Sequence, residues 1–406
     1  MIPALTRNGV PVAYDPGEPE YPRLRVIAPL PVVVRGPESG PREPVRPQPD
    51  RKGTISMTVL RARIAAFLAV FSLLVMAIVA AAGPPAMAGA RPTHHPARAA
   101  AGWLARQMTD GNHFVDVFNG TSFPDQGLTI DAIVAFAAAR TAGDYGARAA
   151  AWLARPHILK GYIGNGTTSS FAGATAKLLL ATEVRGLDPA TFGGVNLPAR
   201  LAALLKPSGR YSDHSKFGDF SNAFSQALAV IATKRLGGAA PSAVSFLAGT
   251  ECSDGGFPLD FGQKTCISDP DATALDVQAL LAAGRPGPVR RGLGWLASVQ
   301  RRDGGFASPP SMLSNANSTG LASEALAVGG WSRKAARARA FLTSVQVGCA
   351  GKPAHRGALA FTDQGFRAAT ATRATAQGIL GLADVGLARL SARGSQPGDP
   401  HLACST

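Results

Sequence analysis

Aromatic residues make up only 7% of this 406-residue chain, which leaves few rings to line a cavity. No Arg/Lys stripe interleaved with aromatics occurs, so nucleic acid is not an expected partner. No C-x-x-C pair and no H-x-x-x-H spacing is present, which removes the common zinc ligand sets. The seven histidines fall in presumed loops or a Pro-rich linker and are read as surface residues. A G-x-S-x-G elbow is also missing, so the sequence offers no signature of a serine hydrolase. Strand-like alternation is not sustained anywhere, which argues against a β-sheet core. Acidic side chains are in deficit, 26 against 41 basic, for a net charge of +15.

Cysteine is scarce but even in number: Cys252, Cys266, Cys349 and Cys404. Four cysteines allow three connectivities. Pairing Cys252 with Cys266 closes a short loop, and pairing Cys349 with Cys404 ties the tail to the last repeat. Such disulfides belong to an oxidising compartment. The N-terminal sequence points the same way. Residues 1–56 are rich in Pro, Arg and Glu and have no sustained apolar period, the composition of a disordered or misassigned upstream extension. Met57 is then followed by Arg61 and Arg63, an apolar run from Ile64 to Ala82, Pro84-Pro85 and Ala86-Met87-Ala88. This order reads as a signal peptide over residues 57–90, with translation starting at Met57 and cleavage near Ala88 or Ala90. The alternative is an uncleaved anchor, because residues 64–82 can just span a bilayer. Residues 91–97 read as a linker. Residues 1–90 hold ten basic and six acidic residues, so the remainder is still basic at +11. That excess suits contact with an anionic cell-envelope polymer, although an Arg-rich solvated surface explains it equally.

What the chain does have is a repeat. Its clearest copy runs from Arg291 through Trp295-Leu296 and Gln300 to Gly304-Gly305-Phe306. Weaker copies place an aromatic-Leu pair at Trp103-Leu104, Trp152-Leu153, Phe246-Leu247 and Phe341-Leu342, with Leu201 at the equivalent place in another. The spacings from position 103 are 49, 49, 45, 49 and 46 residues. Between the copies lie six small, apolar, helix-spaced stretches, such as Thr129–Phe136, Thr273–Leu280 and Thr319–Leu326. Alanine with apolar residues on several faces implies burial on more than one side. A repeated pair of helices that cannot bury its faces alone must stack on its neighbours. The expected fold is all-α: an (α/α)6 toroid of about twelve helices over residues 98–406, with the Ala-rich helices inside.

The Arg291–Phe306 copy resembles the QW motif of squalene and hopene cyclases, with Phe306 where a Trp is usual. The resemblance extends over residues 98–390 and implies the terpenoid cyclase/protein prenyltransferase superfamily. It directs attention to Asp269-Pro270-Asp271-Ala272-Thr273-Ala274, which is similar to the Asp-x-Asp-Asp-Thr-Ala of class II terpene cyclases. By that resemblance Asp271 matches the acid that protonates an alkene or epoxide and Asp269 the first carboxylate. Ala272 replaces the third. Without the resemblance, the same carboxylates read as helix caps. The zinc site of protein prenyltransferases is not reproduced, because Thr273 stands where the resemblance would require Cys. A CGEQ thioester is absent too.

Polar residues recur where inner helices begin, and in a toroid those positions converge on one mouth. Asp131 and Asp276 fall within inner helices, where each must pair with Lys or Arg or face a wet cavity. The loop Gly209–Phe220 is expected at the mouth. Together these define a ligand-binding set of Asp276, Thr273, Tyr211, Phe217 and Phe220. The sequence implies no cofactor and no metal. It leaves three functions: a carrier of an apolar, isoprenoid-like or amphipathic ligand in a central cavity, a class II-type cyclase using Asp271 and Asp269, or an envelope interaction scaffold. A prediction follows for the leader. N-terminal sequencing of exported protein should start at Gly89 or Arg91, whereas a start upstream of Ile64 would establish the anchor.

Overall fold

The computed structural model describes residues 92–309 and 311–405. The expected extension, signal peptide and apolar run therefore lie outside the described residues. The ordered chain starts earlier than the boundary read at residue 98. Strand β1 (Pro92–Thr93) pairs in parallel with β4 (His401–Leu402), and helix α1 (Pro96–Arg106) follows at once. Next come a hairpin of β2 (Phe114–Phe118) and β3 (Thr121–Asp125), then α2 (Gln126–Ala139), α3 (Gly143–Leu153), α4 (Pro156–Ile163) and α5 (Ala172–Val184). The series continues with α6 (Leu197–Ala202), α7 (Ala223–Arg235), α8 (Pro241–Gly249), α9 (Pro270–Ala282) and α10 (Pro286–Val299). Helices α11 (Ala316–Val328), α12 (Ser332–Ser344) and α13 (Ala368–Ala383) complete it.

The aromatic-Leu pairs fall in α1, α3, α8, α10 and α12, and Leu201 lies in α6. Most of these helices bury one face, whereas α1 is buried nearly all round. In α3, Ala149, Ala150, Trp152 and Leu153 are buried while the opposite side is solvated. The Ala-rich stretches form α2, α5, α7, α9, α11 and α13, and these are buried almost all round. Each packs on the next, and α13 packs back on α2. The inner layer is therefore a closed ring, as the repeat requires.

Small side chains set how tightly that ring closes. A Cβ on Gly320 of α11 would lie 2.4 Å from the Gln377 carbonyl oxygen of α13, so the two backbones touch there. The outer layer is joined by the residue at the Gln position of the motif. Gln300 donates to the carbonyls of Gly304 and, in the next outer helix, Lys334, both at 2.9 Å. Gln346 does the same for Gly357 and Pro96, both at 2.9 Å, and thereby links α12 to α1 across the seam of the ring. Where Glu251 replaces Gln, it forms an ion pair with Arg291 of the following outer helix. The repeat thus carries its own inter-repeat tie at three junctions, in two versions.

Both disulfides pair as expected, Cys252 with Cys266 and Cys349 with Cys404. Beyond α13 the tail crosses the C-terminal ends of the inner helices. Leu387 N–H donates to Gln278 Oε1, Arg235 donates to the Leu387 carbonyl, and Ala392 N–H donates to the Val184 carbonyl. Leu387 and Leu390 are buried beneath it.

One expectation is overturned. The β2–β3 hairpin is a regular antiparallel ladder although no strand was expected. Phe114-Val115-Asp116-Val117-Phe118 is too short for periodicity to register, but Asn119-Gly120 is a strong two-residue hairpin signal. Both residues adopt positive φ, 48° and 77°.

Removing a tie should loosen the ring. Gln346→Leu strands two buried carbonyls and should cost about 2 kcal/mol in urea unfolding. Gly320→Val forces two backbones apart and should cost more. Equal stability of Gln346→Leu and wild type would show that the seam is held elsewhere.

A candidate site on the ring axis

The inner helices share one phase. Four residues past their caps, Thr129, Thr273 and Thr319 accept a backbone N–H from the preceding loop: Phe114 at 3.0 Å, Phe257 at 2.8 Å and Phe306 at 2.9 Å. Gln226 and Thr375 accept from Tyr211 and Leu359 in the same way. This face points to the outer layer. Residues two, six and nine past the cap lie on the opposite side, at about 100° per residue, and point to the ring axis.

Ion pairs confirm the phase. Lys177 of α5 lies 2.7 Å from Asp131 of α2 and donates to the Gly127 carbonyl at 3.0 Å. Arg373 of α13 reaches Asp125 at 2.8 Å and Asp131 at 3.7 Å. So the buried Asp131 is paired with cations, as a carboxylate in that position requires. On the same axial face α7 offers Phe224, Leu228 and Ile231, α9 offers Asp271, Leu275 and Gln278, and α11 offers Asn317, Leu321 and Glu324.

The three carboxylates of the α9 segment are in different circumstances. Asp269 is the cap: its Oδ1 accepts the N–H groups of Asp271 and Ala272, both at 2.9 Å, and its Oδ2 accepts the Ser308 hydroxyl at 2.6 Å. Burial and then the neighbouring Asp271 push the Asp269 carboxyl up, against the pull of Ser308. Asp271 sits in the first turn on the axial face and is buried. Asp276 lies on a flank of α9, away from the axis. It is fully buried, and both its oxygens lack a hydrogen-bond partner. Burial, with a smaller push from Asp269, holds it well above the usual carboxylate range.

Two other expected ligand contacts are displaced. Thr273 faces outward and is bonded to the Phe257 backbone, so it is a structural tie. Tyr211 is buried between the layers, with its phenol near Thr233, and does not reach the mouth. Phe217 and Phe220 are at the surface, each 43% exposed. Their loop is braced by Asp213, which accepts from Ala172 N–H at 2.7 Å, and by Asp219, which pairs with Arg210 at 3.1 Å. Burial pushes Asp213 up to about 6.

The polar axial residues Lys177, Gln278, Glu324 and Gln377 were not singled out from sequence. The available signal was a polar residue recurring at axial phase in otherwise Ala- and Leu-rich helices. Glu324 is fully buried, and burial pushes its carboxyl up to about 8. The Gln278 amide and the Leu387 N–H lie near it but fall short of hydrogen-bond geometry.

No protein-family model and no curated protein matches the chain. Among solved structures, a protein from Actinoplanes superposes with a TM-score of 0.52 at 19% identity, covering 71% of this chain and 98% of the other. The type II terpene cyclase MstE from Scytonema superposes with a TM-score of 0.55 at 15% identity, covering 71% and 96%. At these identities the likeness is one of fold. The ring shares its toroidal fold with that cyclase.

The buried acid generates a pH prediction. Glu324 holds its proton in the folded state up to about pH 8, whereas it is ionised above the ordinary glutamate value once unfolded. The folded state then binds the extra proton, so stability falls as pH rises between these values, by at most about 1.4 kcal/mol per unit. Urea unfolding from pH 5 to 8 should show this slope in wild type and a flatter one in Glu324→Gln. An unchanged slope would mean that Glu324 is ionised in the fold.

Proposed function

We propose that this is an exported ring protein that binds an apolar or amphipathic molecule along its axis. The observation that carries the reading is the division of the axial face. Phe224, Leu228, Ile231, Leu275 and Leu321 form an apolar band, and the Asp131–Lys177–Arg373 cluster stands beside it, nearer the end where the inner helices begin. An apolar body laid along that band is stabilised by about 25 cal/mol per Å² removed from water. Loops leading into the inner helices carry Val117, Phe217, Phe220, Ile267 and Met312, which are exposed by 43–79%. Apolar side chains at that end suit the entry of a water-insoluble ligand. Export rests on the basic start, apolar run and small-residue site of the leader, together with the two disulfides. The basic surface then meets anionic envelope polymer.

A second reading is class II-type cyclisation with Asp271 as the acid. One observation favours it: Asp269 does the capping, which leaves Asp271 on the axial face beside a carboxylate that accepts three hydrogen bonds. Weighing against it, the fully buried Ala272 occupies the third carboxylate position. Phe224 is also the lone aromatic at the axial positions of the six inner helices, which leaves little to stabilise a carbocation.

Native mass spectrometry of protein from the producing cells separates these readings. A binder should carry a small molecule that organic extraction removes and that the apo form takes up again unchanged, in wild type and in Asp271→Asn alike. A cyclase should convert an added polyprene, and Asp271→Asn should abolish turnover while keeping the fold. Neither uptake nor turnover would leave an interaction scaffold.

A further inference from the structure

The charged groups at the start of the axis are paired, but four uncharged polar side chains are not fully paired. Asn317 Oδ1, both polar atoms of Gln377, Gln278 Nε2 and both Glu324 oxygens have no hydrogen-bond partner, and none of these residues is more than 4% exposed. They belong to three consecutive inner helices, α11, α13 and α9. Asn317 lies two and Gln278 and Glu324 nine residues past their caps, and Gln377 lies two residues past Thr375 as Leu321 does past Thr319, so the set spans about 10 Å along the axis. Thr319 and Ser323 of α11 bond outward, to the Phe306 N–H and to the carbonyls of Ala335 and Gly381, which turns Asn317 and Glu324 inward. Thr375 likewise bonds to the Leu359 N–H and so turns Gln377 to the axis. In the ring, α7 packs beside α9 and stands three places from α13, and it presents Phe224, Leu228 and Ile231 at the same levels.

Buried amides left without partners are expensive, and apolar replacements of similar shape would be better for the fold alone. Small and apolar residues fill most of the other positions in this layer. A stripe of unpaired polar atoms beside an apolar band is the complement of a molecule that is itself two-sided.

We propose that Asn317, Gln377, Gln278 and Glu324 form a hydrogen-bonding stripe that reads hydroxyl, carbonyl or amide groups along one edge of the axial ligand, so that the occupant is a neutral oxygenated lipid and not a plain hydrocarbon. Neutrality follows from the cations: Lys177 and Arg373 are already matched by Asp131 and Asp125. This inference rests on axial binding but goes beyond it, because it selects among apolar ligands.

The experiment loads delipidated full chain with 1-monoolein or farnesol, and separately with 1-octadecene or squalene, and reads the retained lipid by mass spectrometry. Wild type should retain an oxygenated lipid at least tenfold better than the hydrocarbons. In Gln377→Met and Asn317→Leu the difference should collapse, while the lipid-free Tm rises by about 2 °C as the unpaired atoms are removed. Equal retention of hydrocarbon and oxygenated lipid by wild type would overturn the stripe while axial binding stands. A fall in lipid-free Tm in both variants would also overturn it, by showing that the amides are structural. Retention of neither class overturns both readings.

Discussion

Everything in this protein depends on how closely its inner helices approach one another. Gly320 brings the α11 backbone against the α13 backbone, and alanine holds the remaining contacts of the layer short. Helices whose side chains are this small can pack on two flanking neighbours and an outer partner at once. That leaves one narrow face for anything else. The same closeness puts the side chains of successive helices within reach of each other at the axis, which is why Lys177, Asp131 and Arg373 form one cluster although they come from three helices.

The outer layer answers a different requirement. Six repeats must close on themselves, and side-chain ties hold three of the junctions. Gln300 and Gln346 each bridge a turn in their own repeat and the start of the next outer helix. Glu251 achieves the same junction through Arg291. The motif that most clearly marks the repeat is therefore a joint, and it contributes no reactive group. The axial face holds the Asp131–Lys177–Arg373 cluster and the polar side chains of Asn317, Gln377, Gln278 and Glu324.

Much of the architecture was legible because it is written in local periodicity. The aromatic-Leu pairs fell in outer helices and the alanine-rich stretches in inner ones. The site was less legible. Asp269, Asp271 and Asp276 look alike on paper, yet one caps a helix, one faces the axis and one is buried on a flank with its carboxyl pushed well above the usual range. Thr273 and Tyr211 were expected at the ligand but serve the contact between layers. Gln377 and Glu324 passed unnoticed, since a single polar residue in an alanine-rich helix has no signature until the phase of that helix is known. The hairpin at Asn119-Gly120 was missed for a related reason, because five residues are too few to establish a period.

The sequence by itself determined the repeat, the helical class and the ring of paired helices, whereas the cysteine pairing, one of three that four cysteines allow, was fixed by the fold. The first three follow from spacing along the chain: 3.6 residues for a helix and 45–49 for a repeat. The tertiary structure alone decided which polar side chains face the axis, which carboxylate caps and which is buried without a partner. These are properties of direction and surroundings. A side chain's surroundings are made by residues 50 or more positions away, as with Lys177 and the Gly127 carbonyl, and only the closed ring brings them together.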